Sequence, residues 1–415
     1  GLIGADRVPH PHLNEVKKVY QYIKASLTDE RNLTLSVKNW YDFSNLNEYT
    51  LNWQLVTDNG EVVRQGTETV DCLPHETTTL TLGKTSLPKN CKEVFLNLSW
   101  TPKQARPFIP VTHEVAYDQF VWIANKNYRP EYPTLKASAL KQDDNTFSND
   151  RISISFSPET GAMTSYKLDG KEMLSTPLSI GLYRPINDNR DRNGARLWKT
   201  AGLNTLSQQA KAFRAGKNSV QTTLVLLNGK GETVGTATQH YTLNPDGTVR
   251  IATSFTPDTS IVKSLARIGL TFEMPSEYAQ VSYLGRTGET YTDRIQSGRI
   301  ALDKTDAERM FHYYVKPQST GNRTDMRWAT ITNETGNGLY VTATTPWQFS
   351  IVPFTDSNID TSTHINQLKR SGTVTVHLDA EQAGVGTATC GPGVLPQYLV
   401  PVEKTTFEFV LRPVE

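Results

Sequence analysis

Apolar residues in most of this chain recur at every second position. Leu33, Leu35 and Val37 alternate with polar neighbours, as do the runs Tyr49 to Val56 and Val94 to Trp100. That period places successive side chains on opposite faces of an extended strand and predicts half-buried β-strands. Between about Tyr20 and Trp122 there are roughly seven such runs in about 100 residues, the size and strand number of an immunoglobulin-like sandwich. Trp53 and Trp100 are expected in its core. Asn59-Gly60, between Trp53-Gln54-Leu55-Val56 and Val62-Val63, is the strongest hairpin signal. One segment breaks the pattern. Leu13, Val16, Val19, Tyr20 and Ile23 stand at helical intervals with Glu15 and Lys17-Lys18 on other faces, which predicts one short amphipathic helix over Leu13 to Ile23. No second helix follows, so its apolar stripe has no local partner and is expected to lie against a neighbouring domain.

Residues 126–140 carry Pro130 and Pro133 with little periodicity and are expected to form a semi-rigid linker. Beyond it strand-like runs resume at Ile152 to Phe156, Gln221 to Leu226, Val249 to Phe255, Arg267 to Glu273, Tyr340 to Ala343 and Phe407 to Leu411. Turn signals such as Asp169-Gly170 and Asp246-Gly247 separate them. So many strands in about 270 residues exceed one immunoglobulin domain and predict a large two-sheet sandwich. The fold class is therefore all-β. No internal repeat or low-complexity tract is visible.

Composition narrows the function. The 415 residues hold 43 Lys+Arg against 42 Asp+Glu, a net charge of +1, which supplies no basic field for nucleic acid. Mean hydropathy is −0.47, and no apolar run approaches the roughly 18 residues of a membrane span. The reading is no nucleic acid and no membrane. Cys72, Cys91 and Cys390 have no zinc-like spacing. A Cys72–Cys91 bridge would constrain the unfolded chain by about 3 kcal/mol, but three reduced thiols are the favoured reading. Gly1 to Arg7 lack the charged and apolar regions of a secretory signal.

Four clusters invite chemistry. Asn187-Asp188-Asn189-Arg190-Asp191-Arg192-Asn193-Gly194 places oxygen ligands and a glycine as in a calcium loop, but Thr200 stands where the bidentate Glu belongs. A surface loop held by Arg–Asp pairs is favoured. In His10-Pro11-His12 the proline keeps the imidazoles off a shared helical face, so packing or hydrogen bonding is favoured over metal. Gly384-Val385-Gly386 lacks a third glycine and a following helix, and reads as a close-packed turn rather than a phosphate cradle. Tyr283 to Arg294 crowds acids, arginines and aromatics into a dozen residues, which suits a sugar grip and an internal salt-linked network equally well. No pair of carboxylates is distinguished as a glycosidase pair.

The opening Gly1-Leu2-Ile3-Gly4-Ala5-Asp6-Arg7-Val8-Pro9-His10-Pro11, followed by Asn14 to Tyr20, resembles the end of the catalytic barrel of glycoside hydrolase family 2 β-galactosidases. Val37 to Leu46 is similar to a stretch of that family's second immunoglobulin-like domain. Tyr183-Arg184-Pro185-Ile186-Asn187-Asp188-Asn189 resembles its Arg-Ala-Pro-x-Asp-Asn-Asp loop. Arg267 to Leu270, Tyr283 to Arg294, and Tyr314 to Gln318 with Gly321-Asn322-Arg323 match further stretches. The resemblance implies a remnant of a catalytic TIM barrel at 1–19, an immunoglobulin-like β-sandwich at 20–125, the linker, and a galactose-mutarotase-like β-supersandwich, the small-chain domain, at 141–415.

It implies further that the whole enzyme hydrolyses terminal β-galactosides with retention through two glutamates upstream of Gly1, with magnesium and sodium or potassium as cofactors. This piece would then hold no catalytic residue, cofactor or metal. Asn187, Asp188, Asn189, Thr389, Cys390, Gly391 and Pro392 would lie on substrate-proximal loops. The expected partners are the N-terminal catalytic part, a galactoside and further copies in a homo-oligomer, in a bacterial cytoplasm or periplasm. Two departures stand out: Gly4 replaces the Phe of bacterial relatives whose main-chain oxygen helps hold sodium, and residues 386–396 contain no Trp to stack on the sugar. A free-standing carbohydrate-binding module and a purely structural assembly surface are the rival readings.

Overall fold

The structure is a computed structural model and describes every residue except 87, 89, 125–131, 133, 188–194 and 388–390. The expected helix forms, but more briefly. Helix α1 spans Leu13–Val19, and Ile23 already belongs to a strand, fully buried. The apolar stripe of α1 is only partly covered by this chain: Leu13 and Val16 are half-buried, Val19 and Tyr20 are exposed, and the buried residue of the helix is Lys18.

Seven strands follow, in two facing sheets: β1 (Ile23–Asp29), β2 (Thr34–Asn39), β3 (Tyr49–Thr57), β4 (Val62–Glu68), β5 (Thr77–Thr81), β6 (Glu93–Pro102) and β7 (Ala116–Ala124). The sheet orders are β1-β2-β5 and β4-β3-β6-β7. Alternation in β2 and β3 sends Leu35, Val37, Leu51, Trp53 and Leu55 inward, where they meet Leu96, Leu98 and Trp100 of β6. The β3–β4 hairpin turns at Asn59-Gly60 as expected, though as a longer loop than a two-residue turn. Only Gly60 takes positive φ (85°), and the Thr57 N–H closes onto the Glu61 carbonyl. Cys72 and Cys91 are buried unpaired thiols, so the disulfide does not form. The expected linker at 126–140 falls largely outside the described residues; Leu140 already packs into the next core.

From Lys141 onward, five strands make a small sheet and twelve a large one, and every pairing between named strands is antiparallel. Asp169 and Gly170 both take positive φ (49° and 78°), the two-residue turn that joins Met163–Leu168 to Lys171–Glu172. The large sheet curls through the 15-residue strand Gly338–Val352, which pairs with Arg323–Thr332, Thr373–Gln382 and Thr405–Val414. Its core joins Ile152, Ile154 and Phe156 of the small sheet to Val249, Ile251, Leu378 and Phe409 of the large one. At one end lies the three-residue strand Ser179–Gly181, and at the other Ser207–Gly216, bulged between Ala210 and Ala212. Among the described residues no helix is long and apolar enough to cross a membrane.

Three parts of the chain meet at one polar joint. The Lys18 ammonium donates to Asp118 Oδ1 (2.6 Å) and to the Tyr117 carbonyl, both on β7, and lies 4.6 Å from the Tyr117 ring centre. Tyr117 passes the link on, its hydroxyl donating to the Ser297 carbonyl (2.9 Å). Glu15 of α1 accepts the N–H groups of Gln296 and Ser297, and the Gln119 amide bonds both backbone groups of Ile300. Beside these, Arg327 forms a two-pronged pair with Glu93 (2.8 Å each). Removing one partner of a buried ion pair leaves the other desolvated, at a cost of about 3–5 kcal/mol. Lys18→Met is therefore expected to lower stability by that amount in thermal or urea unfolding, and adding Asp118→Leu should recover most of it.

Candidate functional site

A small cleft of about 100 Å³ opens where the N-terminal segment meets the large sheet. Gly1, His10 and His12 form one side; Glu289, Tyr291, Arg294, Tyr314, Gln318, Ser319, Asn187 and Val385 complete it. His10 Nδ1 and His12 Nε2 both bond the Gly1 carbonyl, at 2.7 and 2.9 Å. His10 also packs edge-on against His312 and Tyr314, with ring centres 5.4 and 4.7 Å away. The two histidines thus serve packing and hydrogen bonding, as their spacing predicts. Among the described residues no group of three or more His, Cys, Asp or Glu side chains could hold a metal.

The far wall is built by fastening one loop from two directions. The Arg184 guanidinium donates to Gln382 Oε1, the Ala383 carbonyl and the Gly384 carbonyl (2.7, 2.7 and 2.8 Å), between the rings of Trp198 and Tyr291. From the other side the Asp293 carboxylate accepts the N–H groups of Val385 and Gly386, and Arg294 donates to the Gly386 carbonyl. Gly384 is needed here, since a Cβ would fall 2.6 Å from the Asp293 carboxyl carbon. Behind this loop Gln382 bonds Asn322 and Asp379, and Asn322 bonds the Thr290 carbonyl and Gln348.

The segment Tyr283 to Arg294 divides between its two readings. Tyr283 donates to Asp303, Arg286 pairs with Asp325, and Asp293 caps the loop, so these serve the internal network. Glu289, Tyr291 and Arg294 line the cleft. The Glu289 carboxylate accepts the Gly321 N–H at 2.7 Å, and burial raises its pKa above the usual carboxylate range. Burial likewise pushes the Tyr291 phenol well up. Burial and the Arg294 guanidinium lower His12 to about 4.

Of the expected loop residues, Asn187 reaches the cleft. Asp188, Asn189, Thr389 and Cys390 lie outside the described residues, as do the calcium-like positions and Arg190–Asp191–Arg192. Gly391 and Pro392 belong to a turn that closes on Thr387, whose N–H and hydroxyl donate to the Pro392 carbonyl, and they do not line the cleft. Tyr314 and Gln318 were not expected as wall residues. The family-like stretch from Tyr314 to Gln318 was the available signal for them.

The family model described as β-galactosidase small chain matches residues 148–411. This chain belongs to that family. A second model, domain 4 of β-galactosidase, matches residues 35–122, the sandwich strands. Among curated relatives, a β-galactosidase of Priestia megaterium is 29% identical over 402 residues, covering 93% of this chain and 38% of the relative. One from Actinobacillus pleuropneumoniae is 26% identical, covering 96% and 39%; one from Halalkalibacterium halodurans is 27% identical, covering 99% and 41%. This small-chain family member therefore spans about two-fifths of the length of these relatives.

A folded-state pKa of about 4 for His12, against 6.5 for a free imidazole, means that the unfolded chain takes up this proton first. The resulting contribution to stability is complete above pH 6.5 and is lost as pH falls from 6.5 towards 4. Ring-nitrogen NMR of the folded chain should find His12 titrating near pH 4; a midpoint above 6 would contradict the packing described.

Proposed function

We propose that this chain is the C-terminal region of a β-galactosidase that hydrolyses terminal non-reducing β-D-galactose residues with retention. In this reading the catalytic glutamates lie on a barrel that the chain does not contain. The observation that carries it is the incomplete cleft: at about 100 Å³ it falls short of the roughly 300–1,000 Å³ of ligand sites, yet it is lined by His, Tyr, Arg and amide groups suited to sugar hydroxyls. The family membership and the exposed Leu2, Ile3, Val8, Val19 and Tyr20 of the N-terminal segment support the same reading. These apolar side chains form the surface against which the rest of the barrel would pack.

The chemistry of a retaining glycosidase needs one carboxylate as nucleophile and another as acid/base, and this chain supplies neither. Glu289 is committed to the Gly321 N–H. The chain's own contribution is to wall the sugar site, with Asn187 on the cleft and Asp188, Asn189, Thr389, Cys390, Gly391 and Pro392 on the adjoining loops. With no Trp in 386–396, the entry subsite lacks an aromatic platform worth about 1 kcal/mol, which favours aglycones other than glucose. Of the parent enzyme's cations, the monovalent one would find a single backbone ligand here, the Gly4 carbonyl. That oxygen already accepts the Arg7 N–H, which leaves one lone pair. Magnesium would be held outside this chain. Homo-oligomerisation and a cytoplasmic or periplasmic location in a bacterium complete the proposal.

The purified chain should show no turnover of an aryl β-galactoside, and activity should appear on co-expression with the N-terminal three-fifths of a full-length relative. Turnover by the chain alone that survives further purification would refute the assignment.

A further inference from the structure

The cleft beside Gly1 is not the largest cavity among the described residues. One of about 880 Å³ opens where the sandwich meets the large sheet, with no lining residue in common with that cleft. Its volume lies in the upper part of the roughly 300–1,000 Å³ range of ligand sites, enough for more than one sugar ring. The β3–β4 turn and the start of β6 form one bank. The strands Gln280–Arg286, Ile300–Asp306, Arg323–Thr332 and Gly338–Val352 form the other.

The lining has three properties that together select a ligand class. An aromatic group comes first: Trp328 and Tyr340 are stacked with ring centres 5.5 Å apart and planes 19° apart, and Tyr132 stands edge-on to Tyr340 at 5.8 Å. Phe95, Leu284 and Ile300 back Trp328 from below. Because their faces are turned to one another, these rings offer the cavity an apolar edge against which the C–H groups of a pyranose can pack. Neutral hydrogen-bonding groups come second, from Ser282, Thr342, Thr345, Asn59 and Asn90. Third, the charges cancel: Asp58, Glu93 and Asp303 oppose Lys92, Lys304 and Arg327. Glu93 and Arg327 neutralise each other outright. Asp303 is held in place by the Tyr283 hydroxyl and the Lys304 N–H (2.8 and 2.9 Å), and Asp58 by the Lys92 N–H (3.0 Å). A site with aromatic edges, amides, hydroxyls and fixed but balanced charge has no electrostatic preference for anions or cations.

We propose that this inter-domain cavity binds a neutral oligosaccharide, at a site separate from the galactosidase cleft. Pyranose C–H groups would lie along the ring edges of the Trp328–Tyr340 pair, with Asp303 and the amides of Asn59 and Asn90 bonding ring hydroxyls. Because its two banks belong to different parts of the fold, an occupant would also tie the sandwich to the large sheet.

Calorimetry and indole NMR of the whole chain with β-1,4-galactotriose and with cellotriose test this. The expected result is saturable binding of at least one trisaccharide in the millimolar range or tighter, with the Trp328 indole resonance shifted. Thr345 is exposed at the cavity rim, so Thr345→Arg should block the site without lowering the unfolding temperature and weaken binding at least tenfold. Asp303→Asn should weaken it several-fold. The proposal is overturned if neither trisaccharide binds up to tens of millimolar, if the shifts centre on Tyr291 and His12, or if Thr345→Arg binds as well as the parent. Shifts centred on Tyr291 and His12 would place the sugar in the galactosidase cleft instead, and the galactosidase reading itself stands or falls on the separate co-expression assay.

Discussion

A buried ammonium fastens the N-terminal helix to the rest of this protein. Taking the Lys18 charge out of water costs several kcal/mol, and the expense is offset only because a carboxylate, a carbonyl and a ring face converge on it. All three belong to Tyr117 and Asp118 of β7, and the Tyr117 hydroxyl continues to Ser297 on the large sheet's side. One side chain thereby fastens the N-terminal helix to the sandwich, which Gln119–Ile300, Arg327–Glu93 and Arg299–Glu114 join to the large sheet. The cleft inherits this arrangement: Gly1, His10 and His12 reach Tyr291 and Tyr314 because α1 is anchored a few residues further on.

The second constraint is the clasp on residues 383–386. A loop without secondary structure normally wanders, yet here its carbonyls are held by Arg184 and Arg294 and its N–H groups by Asp293. Charged groups bonded to backbone in a buried setting are among the stronger hydrogen bonds. Their supports are strands of the large sheet and the Gln382–Asn322 pair behind them. A cleft wall built this way is held in shape by side chains from outside the loop itself.

Alternation made the strands legible, because burial on one face only is written directly into period two. The β3–β4 hairpin and the Asp169-Gly170 turn were legible for a second reason, since few residues other than glycine, Asn and Asp accept positive φ. The helix was legible, but its orientation was not. Nothing in Leu13 to Ile23 says that Lys18 points inward, because its partners lie about a hundred residues away on β7. The clasp was hidden for the same cause: Arg184, Asp293 and Gly384 are joined by topology alone. Tyr283 to Arg294 was ambiguous in sequence because it does both jobs, with some side chains spent on the network and others turned to the cleft. Tyr314 and Gln318 lacked any chemical signature of their own and were visible only through family likeness.

The large sheet does not close completely, and an open sheet invites pairing with another molecule. One margin is only three residues long, at Ser179–Gly181. A second, Ser207–Gly216, is interrupted by its bulge and carries Lys211 and Arg214 exposed to solvent, and a third, Ile300–Asp306, ends the branch that runs through Gln280–Arg286. Short length, irregular spacing and repelling cations all discourage a foreign strand from adding on. At the first two margins a further copy would meet side-chain surfaces more readily than an open main-chain ladder.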